Sequence, residues 1–240
     1  MVPRLAVVVP AFEEEARLAP SLGRILDFLE ARGEPFEVVV VDDGSTDGTF
    51  GVAERFSARG VRVLRLPVNR GKGAAVRTGL VATTATRVLI TDADLSTPIA
   101  ELGRLEPELE RAEVVLGSRA VAGARLPVRQ PWYRELAGRT FNRLVRLAGV
   151  GGIRDTQCGF KLLDGEAARA LARELTVDRF AWDVELVWLA RRRGLRLAEV
   201  GVEWRNDPAT RVRLVRDSLR MLVDVIGFRR RHRARAQGAR

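Results

Sequence analysis

Five short apolar runs, Leu5–Val9, Phe36–Val41, Val61–Leu66, Val88–Thr91 and Val114–Leu116, alternate with amphipathic stretches at Leu18–Arg32, Thr49–Ala58, Ala74–Ala82 and Ile99–Arg111. The runs are continuous rather than alternating, as strands are when helices cover both faces of a mostly parallel sheet. A β-α-β-α order with right-handed crossovers leaves few solutions, of which the simplest is an open, Rossmann-like, doubly wound α/β sheet. Such a sheet binds ligands beyond the carboxyl ends of its strands. A chain of 240 residues, 46% hydrophobic, is long enough for one such domain and short of the length that forces two.

The second half changes character. Residues 117–152 are rich in Arg and Gly, carry Pro127 and Pro131, and include a helix candidate at Glu135–Leu147. A strand-like Cys158–Leu163 then leads to helices near Glu166–Glu174 and Trp182–Arg193 and to a strand at Leu195–Val200. No linker or internal repeat interrupts residues 1–206, which read as one domain with a binding half (1–116) and an acceptor half (117–206). Residues 207–240 form a basic amphipathic segment. From Pro208 to Phe228, Val212, Val215, Leu219, Leu222 and Ile226 share a helical stripe, with Arg213, Arg216, Arg220, Asp217 and Asp224 opposite. Leu214, Met221, Val225 and Phe228 widen the apolar arc, and Arg229, Arg230 and Arg231 follow.

Several chemistries are excluded by what is missing. One cysteine, Cys158, cannot make a disulfide framework or a cysteine-rich zinc site, and it reads as a small core residue. One histidine, His232, in an arginine-rich tail, leaves no histidine metal site and no Ser-His-Asp triad. Any metal must be a hard cation on oxygen ligands. The net charge of +10 is concentrated at the end: residues 205–240 hold 11 Arg and 3 Asp, or +8, against +2 for the rest. That tail suits either an anionic membrane surface or solvent. No signal-peptide layout opens the chain, and no apolar stretch reaches the ~18 residues that span a bilayer. A cytoplasmic protein, peripheral at the membrane's cytoplasmic face, is the expectation.

Three of the predicted strands release acidic residues onto one edge: Glu13 and Glu14 after the first, Asp42, Asp43 and Asp47 after the second, Asp92 and Asp94 after the fourth. Each cluster alone also makes sense as turn and helix-cap chemistry. Together they place carboxylates that repel one another unless a divalent cation joins them. Asp92-Ala93-Asp94 can offer Mg²⁺ or Mn²⁺ two carboxylates and leave coordination sites for diphosphate oxygens. Asn69-Arg70-Gly71-Lys72-Gly73 precedes a helix, where glycines admit a phosphate and the helix N-terminus favours anions. It is not a P-loop, because Lys72 is followed by Gly73, and Val76 breaks the G-x-G-x-x-G pattern.

Val-Val-Pro-Ala-Phe-Glu-Glu, Val-Asp-Asp-Gly-Ser-Thr-Asp, Asn-Arg-Gly-Lys-Gly and Asp-Ala-Asp, in this order, resemble glycosyltransferase family 2 and its GT-A fold. Gly117-Ser118-Arg119, Asp155-Thr156-Gln157-Cys158-Gly159-Phe160-Lys161 and Trp182-Asp183-Val184-Glu185-Leu186 are similar to its dolichyl-phosphate β-glucosyltransferase and polyprenyl-phosphate glycosyltransferase branch. The resemblance implies that Pro10, Phe12, Glu14, Asp42, Lys72 and Asp92 bind the nucleotide, with Asp42 at the base, and that Asp92 and Asp94 hold the metal. It puts Gln157 and Asp183 toward sugar and acceptor. Arg119, Arg134 and Arg139 are candidates for the acceptor phosphate, in bidentate contacts lysine cannot match. Phe12 stands where the family often has tyrosine, so a hydroxyl contact is lost there.

The resemblance implies an inverting hexosyl transfer, with glucose from UDP-glucose expected to pass to a polyprenyl or dolichyl phosphate. A phosphate acceptor is largely dianionic at pH 7 and needs little base catalysis, whereas a hydroxyl acceptor needs a carboxylate such as Asp94 or Asp183. GDP-mannose as donor, or a soluble acceptor, keeps the same fold. A nucleic-acid-binding module is a different reading of the basic tail. It is disfavoured by the acidic edge and few aromatics, so no nucleic-acid partner is expected. Deleting everything after Phe228 is expected to abolish such binding and spare sugar transfer.

Overall fold

The computed structural model describes residues 2–128, 151–206 and 214–238. The helix candidate Glu135–Leu147, with Arg134 and Arg139, lies outside them. The strands are β1 (Leu5–Ala11), β2 (Phe36–Asp42), β3 (Val61–Arg65), β4 (Arg87–Ile90), β5 (Val114–Ser118), β6 (Arg125–Val128), β7 (Lys161–Asp164), β8 (Leu197–Gly201) and β9 (Glu203–Arg205). The helices are α1 (Glu15–Arg32), α2 (Thr49–Glu54), α3 (Lys72–Ala82), α4 (Leu102–Leu105), α5 (Gly165–Glu174), α6 (Trp182–Arg192) and α7 (Leu214–Gly238). The main sheet runs β3-β2-β1-β4-β7-β5-β8, and β6 pairs with β9 in a separate ribbon.

The five apolar runs are the strands expected, and the β1–β2, β1–β4, β2–β3 and β5–β8 pairs are parallel. The fold is thus α/β and mostly parallel. One strand departs from that order. β7 inserts antiparallel between β4 and β5, pairing Ile90 with Lys161 and Leu116 with Lys161. This strand begins at Lys161 rather than Cys158, because residues 157–160 turn in under the end of β4: a β-carbon on Gly159 would overlap the Asp92 carboxylate. The amphipathic stretch 99–111 is not one helix but a 3-10 turn, the short α4 and a second 3-10 turn, with Pro107 at the start of the last.

Burial explains the regular elements. Val38–Val41 in β2 and Ala6–Val9 in β1 are fully buried, since helices lie on both faces. α1 buries Leu18, Leu22, Ile25, Leu26 and Leu29 on one stripe, each contributing about 2 kcal/mol relative to exposure. It stops at Gly33, whose φ of 66° is the left-handed cap glycine adopts without strain. α5 begins where the Asp164 side chain accepts from the backbone of Glu166 and Ala167 at 2.9 and 3.0 Å.

The tail is part of this core. In α7, Met221, Val225, Phe228 and His232 are buried, and the first three join the cluster formed by α6 and the sheet. The buried face is therefore the one the sequence assigned to a widened arc. Of the stripe expected to be apolar, Leu222 is half-buried and Ile226 is 57% exposed. A helix with apolar residues on most of its circumference has no unique face until its neighbours choose one. Among the described residues no helix is long and apolar enough to cross a membrane.

Candidate active site

A cleft of about 420 Å³ opens at the carboxyl ends of β1, β2 and β4, the place an α/β sheet offers a ligand. Pro10, Phe12 and Glu14 line it from β1, Asp43 from β2, Asn69 and Lys72 from the start of α3, and Asp92 and Asp94 from β4. Five of the residues expected to bind nucleotide, Pro10, Phe12, Glu14, Lys72 and Asp92, thus share one cleft with Asp94.

Asp42 is not among them. It is fully buried, accepts from Ser45 N at 3.0 Å, and faces Arg65 Nε at 3.2 Å. Its neighbour Asp43 lines the cleft instead and accepts from Asn69 Nδ2, Arg70 N and Gly71 N at 3.1, 2.9 and 2.7 Å. Side chains alternate at the end of a strand, so the two carboxylates of an Asp-Asp pair point to different places. The pair was visible in the sequence, but which member lined the cleft was not. Burial drives the Asp43 carboxyl upward despite these three hydrogen bonds.

The loops at this edge are held by one another. The Glu13 carboxylate accepts from Thr46 N and Oγ1 at 3.1 and 2.6 Å, and Glu13 N donates to Ser45 Oγ at 2.9 Å. Glu13 and Leu95 both have left-handed backbones, with φ of 55° and 48°, unusual for residues with side chains. Each sits where a strand hands over to the cleft. Glu14 makes a two-pronged ion pair with Arg17, from Nε at 2.8 Å and Nη2 at 2.7 Å.

The Lys72 ammonium donates directly to Asp92 Oδ1. Burial works against the lysine's charge, but the attraction of Asp92 prevails and its pKa is raised. For Asp92, burial pushes upward and Lys72 outweighs it, leaving the carboxyl below its ordinary value. Asp94 moves the other way, raised by burial and then by the nearby Asp92, although Ser96 N donates to it at 2.9 Å. One carboxylate is thus neutralised by a lysine and the other is held against repulsion. The pair fits a hard divalent cation, which would relieve that repulsion through oxygen donors alone. No group of three His, Cys, Asp or Glu able to hold a metal occurs among the described residues. A cation here would draw its remaining ligands from solvent or a bound phosphate.

In the acceptor half, Arg119 and Gln157 have partners within the chain. Arg119 is occupied: its guanidinium makes a fork to Asp155, Nε at 2.7 Å and Nη2 at 2.9 Å, over the Trp204 ring at 5.3 Å. Burial raises the Asp155 carboxyl, but Arg119 more than offsets it and leaves it at about 2. Gln157 is half-buried, with Nε2 3.4 Å from Met221 Sδ. Neither lines the cleft. Cys158 is buried, and burial raises its thiol, as suits a core residue. Asp183, at the first turn of α6, is only 6% exposed, and burial raises its carboxyl to about 6 against the pull of Lys161 and Lys72.

Four features had no clear signal in the sequence. Lys161 is fully buried, donates to the Cys158 carbonyl and lies 5.2 Å over the Trp182 ring, with burial lowering its pKa. Arg179 and Phe180 line the cleft from the segment before α6. Arg220, Met221 and Asp224 line it from α7, so the tail supplies a wall. His232, which the sequence places in an arginine-rich tail, is buried with Nε2 2.7 Å from Glu185 Oε1. Truncation after Phe228, expected to spare sugar transfer, would strip Glu185 of that partner.

The family model described as glycosyl transferase family 2 matches residues 6–171. A dolichyl-phosphate beta-glucosyltransferase of Drosophila melanogaster is 42% identical over 216 residues, 83% of this chain and 66% of that protein. Its Homo sapiens counterpart is 36% identical over 245 residues, 95% of this chain and 76% of that protein. This chain thus spans about two thirds to three quarters of these relatives' lengths. Among solved structures, glucosyl-3-phosphoglycerate synthase from Mycobacterium tuberculosis in complex with Mn²⁺ and UDP-glucose superposes with a TM-score of 0.66. The match is 24% identical and covers 94% of this chain and 77% of that one, a likeness of fold.

Proposed function

The chain belongs to glycosyltransferase family 2, and we propose that it moves glucose from UDP-glucose to a polyprenyl or dolichyl phosphate with inversion at the anomeric carbon. The observation that carries this reading is the Lys72–Asp92–Asp94 group in the cleft, one cation beside two carboxylates of opposite electrostatic fate. Asp92 and Asp94 would hold Mg²⁺ or Mn²⁺, which when bound supplies Lewis-acid stabilisation of the departing diphosphate. Lys72 adds a point charge on the same side. Pro10, Phe12, Glu14 and Asp43 line the same cleft and would border the nucleoside.

Asp183 is suited to the acceptor. A phosphate monoester loses its second proton near pH 6, and the Asp183 carboxyl also lies at about 6. Asp183 does not line the cleft; in this reading it would take the proton of an acceptor that reaches it as the monoanion. A soluble phosphorylated acceptor would serve the same chemistry, and the fold likeness to glucosyl-3-phosphoglycerate synthase makes it the second reading. Arg134 and Arg139 remain candidates for the acceptor phosphate, whereas Arg119 serves Asp155.

The outer face of α7 supports peripheral attachment to an anionic membrane from the cytoplasmic side. Val223 and Ile226 are 69% and 57% exposed, and Arg230 and Arg233 are exposed on the following turns. A thermal-shift series with UDP, GDP and their sugars, with and without Mn²⁺ or Mg²⁺, tests donor and metal together. Stabilisation by UDP only with metal is expected; stabilisation by GDP alone would move the donor to GDP-mannose. UDP-glucose supplied with polyprenyl phosphate or with 3-phosphoglycerate tests the acceptor, and transfer to the latter alone would overturn the lipid assignment.

A further inference from the structure

We infer that His232 is a positioning residue for the donor-nucleotide site, acting through Glu185 on segment 176–181; the inference rests on reading the cleft as a nucleotide-sugar site. The chain's one histidine is 5% exposed, and its Nε2 lies 2.7 Å from Oε1 of the fully buried Glu185. The same carboxylate accepts from Thr176 N at 2.9 Å, Thr176 Oγ1 at 2.7 Å and Val177 N at 2.7 Å. Arg231 Nε donates to Thr176 Oγ1 at 3.1 Å, so two consecutive residues of α7 reach this one knot. A buried carboxylate with this many donors has one arrangement, and it holds residues 176 and 177 in place.

What those residues touch is the first turn of α3. Ala74 N donates to Asp178 O at 3.0 Å. A β-carbon on Gly71 would stand 2.5 Å from Asp178 O, and one on Gly73 would overlap Val177 O. Between those glycines is Lys72, the partner of Asp92. The next residues along the segment, Arg179 and Phe180, line the cleft, and α7 itself lines it with Arg220, Met221 and Asp224. One contact, His232 to Glu185, therefore registers two walls of the cleft and the helix turn that carries Lys72. Around it Trp188 and Phe228 pack on the imidazole with ring centroids 5.2 and 6.4 Å away, which is packing rather than registration.

The test separates these roles with variants of similar bulk. His232→Phe keeps an aromatic ring and removes the donor, His232→Gln restores a donor, Arg231→Ala loosens Thr176 from the exposed side, and Phe228→Leu weakens α7 packing alone. UDP affinity with Mn²⁺ is read by calorimetry, and exchange of the Ala74 amide by mass spectrometry without any ligand. His232→Phe should weaken UDP about tenfold and speed Ala74 exchange, Arg231→Ala should do so by about threefold, and His232→Gln should return near wild type. Phe228→Leu should lower the Tm with UDP affinity kept. Unchanged affinity and exchange in both His232→Phe and Arg231→Ala, or an equal loss in Phe228→Leu, would overturn the positioning role. Arg231→Ala alone decides the matter if His232→Phe does not fold. Wild-type protein that binds neither UDP nor GDP would overturn the donor-site reading and this inference with it, a result distinct from variants that bind like wild type.

Discussion

Gly159 lies against Asp92 so closely that a β-carbon on it would overlap the carboxylate. The turn at 157–160, which leads into β7, therefore sets the position of the carboxylate at the end of β4. Gly159→Ala should displace one or the other. We expect about a tenfold or greater loss of metal-dependent UDP affinity by calorimetry, with far-ultraviolet circular dichroism unchanged. Wild-type affinity in this variant would show that Asp92 has room to move.

Asp92→Ala and Asp94→Ala should each abolish glucosyl transfer while the fold is retained. They should differ in stability. Removing Asp92 strands the Lys72 ammonium, which is partly buried, whereas removing Asp94 relieves a repulsion. A lower Tm for Asp92→Ala than for Asp94→Ala is the expected order. Normal turnover in either variant contradicts the metal assignment.

Asp183 gives a pH prediction whose sign is opposite to that of a paired carboxylate. Its folded pKa of about 6 lies above the ordinary value, so the unfolded chain ionises first and stability is lost as pH rises from about 4 to 6. Asp183→Asn keeps an acceptor for Val184 N, which donates to Asp183 at 2.7 Å, and removes the charge. It should gain on the order of 2–3 kcal/mol at pH 7.5, and the gain should vanish near pH 4. Denaturant melts at the two pH values measure this. Transfer should fall in the same variant, as befits a group held in an unfavourable state for use.

Arg119 and Asp155 are a buried fork, so an alanine at Arg119 is a stability variant before it is an acceptor variant. With Asp155 at 2% exposure, its loss of partner should cost about 3–5 kcal/mol. A drop in urea midpoint much smaller than this would mean that the pair is dispensable and Arg119 free for another role.

Val223→Asp with Ile226→Asp changes only the exposed face of α7. The double variant should lose binding to vesicles rich in anionic lipid by at least about tenfold while keeping the wild-type Tm and UDP affinity. Equal vesicle binding would reject the membrane face.

Much of the fold was readable along the chain because it depends on local pattern. Continuous apolar runs separated by amphipathic helices lead to a parallel sheet, and the sheet's carboxyl edge then collects Glu14, Lys72, Asp92 and Asp94 without further information. The family resemblance came from those same residues. The placement of β7 was not readable, because antiparallel insertion between β4 and β5 is a long-range pairing that no local period records. Asp42 and Asp43 were indistinguishable for a related reason: one residue of register at the strand's end exchanges a buried carboxylate for one in the cleft.

The tail shows where the boundary falls. Its helical period and charge are properties of the residues in order, and the described part, Leu214–Gly238, is helical. Which side packs is a property of what it meets. α6 offers Glu185 and Trp188, so His232 and Phe228 turn inward, Ile226 turns out, and Met221 reaches the cleft. Sequence pattern specifies elements and the edge where chemistry collects, since both follow from neighbouring residues. Burial of a lone histidine against a carboxylate 47 positions away is decided only when the elements pack, because its energy exists only in that contact.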